Sequence, residues 1–248
     1  MDDCERCRHG YLAVLSHELR NPLAALSNSL YVLKMSPPGD PRSSHAMAVM
    51  DRQIRQIASL IDRLTDAANL DQGKVQLRRS PANLCELLYN VGADHEGLFA
   101  RREIQLCTQI PLGPICVSAD PALLTQILGN LLQNAAQFTP PGGRVILALE
   151  YDGGAQLARI RVQDSGVGLE PGLRDRLFEP FVQADTSLAR THGGLGLGLT
   201  LVKGFVDLHG GSVRAESKGP GLGSTFIVEL PSTGADPATS PVALLPGR

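Results

Sequence analysis

The amino-acid sequence predicts an α+β chain: an N-terminal helical hairpin that forms a dimeric four-helix bundle, followed by an α/β sandwich. Two observations give the hairpin. Leu12, Leu19, Leu26 and Leu33 recur every seven residues with Leu15, Leu23 and Leu30 between them, the seam of a packed bundle helix. Met47, Met50, Ile54, Ile57, Ile61, Leu64 and Ala68 then alternate spacings of three and four, while Asp51, Arg52, Arg55, Asp62 and Arg63 fill the other positions. A third observation gives the sandwich: from about Ser80, short runs of strand period are interleaved with longer runs of helical period.

The elements follow in order. Residues 1–8 are expected to be a flexible N-terminus, and 9–72 the hairpin, turned by Ser36-Pro37-Pro38-Gly39-Asp40-Pro41. Two helices of about 25 residues, each roughly 40 Å long, cannot bury both seams as an isolated pair, which is why dimerisation is expected. Gly73 marks the end of the second helix, and 73–80 is read as a linker. The second domain, 81–231, reads as helix (Asn83 to Ala100), strand (Ile104 to Ile110), strand (Ile115 to Ser118), helix (Pro121 to Phe138) and strands near Arg144 to Tyr151 and Leu157 to Gln163. A helix near Leu195 to Leu208 and a hairpin of Gly211 to Glu216 with Ser224 to Leu230 complete it. Residues 232–248, rich in Pro, Ala, Thr and Ser without periodicity, are expected to be a disordered tail.

Composition narrows the function. Lys and Arg total 23 against 25 Asp and Glu, and aromatics are 4%, so neither a basic field nor a stacking surface favours nucleic acid. No apolar run approaches the roughly 20 residues that span a bilayer, so no membrane contact is expected in this stretch, and the cytoplasm is the expected compartment. The 5 cysteines suit a reducing compartment, and Cys4, Cys7 and His9 lack the further ligands of a zinc site.

Four motifs carry chemistry. On the first helix, His17 lies about 140° from Leu12, off the seam, so its imidazole should be accessible. Glu18 stands beside it, Asn21 one turn on, and Pro22 costs a helix interior about 3 kcal/mol. On the Pro121 to Phe138 helix, Leu124, Ile127, Leu128, Leu131 and Ala135 define a buried face, and Asn130, Asn134 and Gln137 a separate amide stripe. Such amides either border a solvated face or offer hard oxygen ligands to Mg²⁺. Strand parity turns Asp164 inward with Ile160 and Val162. A buried carboxylate needs a donor, which an adenine amine or a capped turn at Gly166 and Gly168 would each supply. Lastly, Gly194, Gly196 and Gly198 open a helix, where bare N–H groups suit a phosphate; a merely flexible loop is the alternative.

Ser-His-Glu-Leu-Arg-Asn-Pro-Leu (16–23) resembles the phosphoacceptor box of two-component sensor histidine kinases. The amide box, Asp164-x-Gly166-x-Gly168, Leu177-Phe178-Glu179-Pro180-Phe181 and Gly194-x-Gly196-x-Gly198, in that order, resemble their ATP-binding domain, of the Bergerat or GHKL fold. The resemblance implies that ATP is held with Mg²⁺ on Asn134, that Asn130, Gln137, Phe178 and Arg190 stand around it, and that Asp164 meets adenine. It implies a lid from Gln183 to Gly193. It further implies phosphorylation of His17 with Glu18 orienting and deprotonating it, transfer to an aspartate of a response-regulator receiver domain, a homodimer, and Asn21 in support of regulator dephosphorylation. Two positions depart from the pattern, since many members carry a basic residue at Gln137 and some at Gln183. Phosphate charge would then fall to Mg²⁺, the helix start, and Arg190, His192 or Lys203. A Bergerat ATPase that switches conformation without a phosphohistidine, or an inactive ATP-binding scaffold, are the alternatives.

Overall fold

The computed structural model describes residues 2–37, 40–174, 176–182 and 195–235, with the side chains of 2–14, 17 and 233–235 outside that set. Helix α1 (Asp2–Met35) begins ahead of position 9 and runs through Pro22, whose cost to the helix does not end it. Helix α2 (Pro41–Asp71) starts where the Asp40 carboxylate accepts from the Arg42 N–H at 2.8 Å, with Pro41 preset for a first turn. It ends at Gly73, whose φ of 62° lets Lys74 N–H return to the Asn69 carbonyl at 2.8 Å.

The apolar stripes of the hairpin divide into two sets. Leu19, Leu26 and Leu33 on α1 and Met50, Ile57 and Leu64 on α2 are half-buried along the helix pair. Leu23, Leu30, Met47, Ile54 and Ile61 remain exposed at 52%, 44%, 53%, 54% and 52%. A single hairpin therefore satisfies about half of its periodic residues.

The α/β part runs β1 (Ser80–Asn83), α3 (Leu84–Arg101), β2 (Gln105–Gln109), β3 (Ile115–Ala119), α4 (Pro121–Phe138), β4 (Arg144–Asp152), β5 (Leu157–Asp164), α5 (Pro171–Arg174), α6 (Gly198–Leu208), β6 (Ser212–Glu216) and β7 (Ser224–Ala235). The sheet order is β1-β3-β7-β5-β4-β2, with β6 also paired to β7; β2 and β4 are parallel and the other pairs antiparallel. Strand β7 pairs with β5 and β6 and then continues past Leu230 to meet β3, where Ser232 is opposite Val117 and Ala235 opposite Ile115. Residues 232–235, expected to begin a disordered tail, are thus strand, because the edge of β3 offers their backbone groups partners that a free tail lacks. Strand β1 and the one-turn α5 were not foreseen; both are too short for periodicity to reveal. Helix α6 starts at Gly198, one turn later than expected.

Helices α3, α4 and α6 pack together and against one face of the sheet. The face expected of α4 is buried throughout, with Leu124, Ile127, Leu128, Leu131 and Ala135 all in a core shared with Phe99, Leu147, Ile160, Phe205 and Phe226. Charged side chains of the sheet form cross-strand pairs, Arg159 to Glu229 at 2.8 Å and Arg161 to Glu150 at 2.9 Å.

Asp120 ties three segments together. Its carboxylate caps α4 through the Ala122 N–H at 3.0 Å and takes the Arg78 N–H at 3.0 Å, while its own N–H donates to Nε2 of the buried His209 at 3.0 Å. Desolvation alone would raise this carboxyl, but the hydrogen bonds it accepts from the Arg78, Leu123 and Ala122 N–H groups outweigh it and hold the group below the usual aspartate range. The hairpin rests on this body: Gln126 donates to Asp66 at 2.5 Å, Arg63 to Gln133 at 2.6 Å, and Leu70 fills the space above Gly204, where a Cβ would overlap it.

Candidate functional site

The α4 helix presents Asn130, Gln133, Asn134 and Gln137 along one edge because Gln133 and Asn134 lie three and four residues from Asn130, and Gln137 four and three residues from them. All four line a cavity of about 470 Å³. The Asn130 Nδ2 is buried and has no partner among the described residues, and a Cβ on Gly198 would be in ordinary contact with its Oδ1 at 3.6 Å. A buried amide donor without a partner is costly unless a ligand supplies an acceptor.

The facing wall is built by close backbone approach. Gly166 leaves no room for a Cβ against the Phe138 carbonyl, and Gly168, with φ 69°, passes the Gly219 carbonyl equally closely. Gly168 lines the cavity with Val167 and Leu169, whereas Gly166 lies behind them. Asp164 is 5% exposed and also stands behind the wall. Its Oδ1 accepts from the Gly166 N–H at 2.8 Å and the Ser224 N–H at 3.2 Å, and its Oδ2 from the Ser224 hydroxyl. Ser224 reaches the cavity surface. Of the two sources of donors open to Asp164, the capped turn is present: three protein donors serve the carboxylate. One of about four carboxylate acceptor sites is left, on Oδ2. Burial pushes the Asp164 carboxyl above the usual aspartate range, against the pull of those donors.

Helix α6 starts at the cavity. Gly196, at φ 67°, and Gly198 line it, and the N-cap Leu197 has no side chain to satisfy the first N–H groups. Those donors and the positive end of the helix dipole suit an anion. Gly194, Arg190, His192 and Gln183 lie outside the described residues. Phe178 is half-buried against the core, and its neighbour Leu177 is the one that lines the cavity. Lys203 is exposed and paired with Asp207 at 3.3 Å, so it does not serve the cavity as the sequence allowed.

The hairpin closes one side. Glu18 on α1, and Gln56, Ser59, Leu60 and Arg63 on α2, line the same cavity. The backbone of His17 is in α1 beside Glu18; its side chain lies outside the described residues, and Asn21 is exposed one turn on. Gln133, Arg63 and Arg102 are among the cavity residues that sequence reasoning did not single out. Arg63 was grouped with polar filling of α2, and only the docking of α2 on α4 turns it inward. No described group of three or more His, Cys, Asp or Glu could hold a metal alone. Amide oxygens of Asn130 and Asn134 fit a hard cation that brings phosphate oxygens with it.

Residues 119–234 match the model of the histidine kinase-, DNA gyrase B- and HSP90-like ATPases, and residues 8–73 match the His Kinase A (phospho-acceptor) domain. The chain belongs to the histidine kinases. This histidine kinase core is 33% identical over 240 residues to the sensory/regulatory protein RpfC of Xanthomonas campestris pv. campestris, covering 95% of this chain and 33% of RpfC. The chain thus spans about a third of that relative's length. Among solved structures it is similar to full-length ShkA in complex with AMPPNP, with TM-score 0.66, 29% identity, and coverage of 94% of this chain and 47% of ShkA. It is also similar to the mycobacterial sensor histidine kinase MprB, with TM-score 0.52, 30% identity, and coverage of 62% of this chain and 97% of MprB. No described helix is long and apolar enough to cross a membrane.

Proposed function

We propose that this core phosphorylates itself on His17 from ATP and passes the phosphoryl group to an aspartate of a response-regulator receiver domain. The observation that carries this is one cavity shared by the amide edge of α4, the uncapped start of α6 and Glu18, the neighbour of His17. Asn134, with Asn130 and Gln137 beside it, would hold the Mg²⁺ and phosphates; Asp164 would accept from the adenine amine. Mg²⁺ supplies neutralisation of the phosphate charge. A nitrogen of the His17 imidazole bonds to the γ-phosphorus as the bond to the β–γ bridging oxygen breaks, ADP leaves, and the imidazole proton passes to Glu18. ATP as donor places the reaction on the cytoplasmic side.

The exposed row Leu23, Leu30, Met47, Ile54 and Ile61 supports a homodimer, in which a second hairpin completes a four-helix bundle. Asn21, exposed one turn from His17, would support dephosphorylation of the regulator. The domain organisation follows: hairpin 9–72 for dimerisation and phosphotransfer, linker 73–80, and ATP-binding domain 81–231 extended by the end of β7.

Incubation with γ-³²P-ATP tests the proposal. Acid-labile, base-stable label that disappears in His17→Gln is expected. ATP hydrolysis without such label would instead identify a switching ATPase.

A further inference from the structure

The edge of α4 that faces the cavity carries only neutral amides, Asn130, Gln133, Asn134 and Gln137. The described cations on the cavity are Arg102 and Arg63. Arg102, at the C-terminal end of α3, donates to the Ala136 carbonyl at 2.9 Å and belongs to the α/β part itself. Arg63 comes from the hairpin and is half-buried, yet its hydrogen bond is to a neutral group, Gln133 Oε1 at 2.6 Å, and no described carboxylate pairs with it. A guanidinium has five N–H donors, and among the described residues only the one to Gln133 has a partner. Burial disfavours its charged form, as expected where no anion compensates. Gln133 lies one turn or less from Asn130, Asn134 and Gln137, so the bond to it sets the guanidinium over the edge assigned to the phosphates.

We propose that Arg63 is a phosphate-binding residue: from the hairpin side its guanidinium contacts the terminal phosphoryl oxygens of ATP and supplies the positive charge that position 137 lacks. The proposal rests on the kinase reading above. Planar bidentate pairing with phosphate is the chemistry for which arginine is suited and lysine is not. Because the charge arrives on α2, it is present only while the hairpin is seated on the domain, which couples nucleotide recognition to the arrangement that brings α1 to the cavity.

The test compares Arg63→Gln, Arg63→Lys and Gln133→Ala in the full chain, measuring affinity for ATP and for ADP by calorimetry and the rate of His17 labelling. Loss of a charge-assisted contact to the terminal phosphate predicts that Arg63→Gln weakens ATP binding about 10- to 100-fold, leaves ADP within about 2-fold, and slows labelling at saturating ATP. Arg63→Lys should recover part of the loss, and Gln133→Ala should lose less than Arg63→Gln. Equal weakening of ATP and ADP, or equal effects of Arg63→Gln and Gln133→Ala, would make Arg63 an interface strut and overturn the proposal. A wild type that binds ATP but shows no phosphohistidine would defeat the kinase reading, and the ATP-over-ADP preference would still decide Arg63.

Discussion

Replacing Asp164 by Asn separates the two tasks that this carboxylate could perform. In the wild type, Oδ1 holds the Gly166 and Ser224 N–H groups and Oδ2 holds the Ser224 hydroxyl. An asparagine keeps the carbonyl for the two backbone donors, and the serine hydroxyl can turn to accept from the new amide. The turn should therefore survive, with thermal stability within about 1 kcal/mol of wild type. Alanine would instead strand three buried donors at about 1–3 kcal/mol each, a large part of a total of about 5–15 kcal/mol. What asparagine removes is the last acceptor site on Oδ2, putting a donor where an adenine amine would donate. A lost charge-assisted hydrogen bond of about 1.5–3 kcal/mol raises the Kd for ATP about 10- to 150-fold. Inosine triphosphate, which has no such amine, should bind wild type and Asp164→Asn with similar affinity. Calorimetric titration of both nucleotides into both proteins measures this. An unchanged preference for ATP over the inosine nucleotide would refute the assignment and leave Asp164 as the cap of the Gly166 turn.

Nucleotide binding should also weaken on acidification, beginning above the ordinary 3.8 of an aspartate, because burial raises the Asp164 carboxyl and binding needs the ionised form. The stability term has the opposite sign: the folded chain holds this proton to higher pH than the unfolded one, so that contribution falls as pH rises through the same window, and a binding–pH profile beside a melting–pH profile distinguishes them. Mixed dimers of His17→Gln and Asn134→Ala should stay unlabelled, since Glu18 lines the cavity of its own chain; strong complementation would require transfer between subunits. Ile54→Asp with Ile61→Asp should yield monomers in sedimentation, because burying each isoleucine is worth about 1.5–3 kcal/mol; a wild type already monomeric at tens of micromolar would contradict the bundle. His209→Ala leaves the Asp120 N–H unbonded in a buried site and should cost about 2–4 kcal/mol, a fall in Tm of roughly 5–15 °C; an unchanged melt would remove His209 as the link between α4 and α6.

The core and the amide edge of α4 were legible because helical period records which face is buried, and every expected core residue of that helix is buried. The split of the hairpin stripes was not, since one apolar period serves both the partner helix and a second chain. Arg63 illustrates the same limit: its place in α2 is local information, but its contact with Gln133, 70 residues away, is set by how two units dock. Asp164 was placed inward correctly by parity, whereas the donors that satisfy it come partly from Ser224, 60 residues distant. Strand β7 beyond Leu230 carries Pro, Ser, Thr and Gly, a composition that argues for a tail until the open edge of β3 is known.

That long strand has a consequence for synthesis. Its partners β3, β5 and β6 are made earlier, and the pairing of Ile115 with Ala235 spans more of the chain than any other pairing in the sheet. On a ribosome the helices α3 and α4 emerge well before the strand that completes the layer beneath them, so their apolar faces await a partner still being translated. The apolar faces of α3 and α4 therefore stay open until β7 emerges, and the cavity, whose wall includes Ser224 and Phe226, is completed only at that late stage.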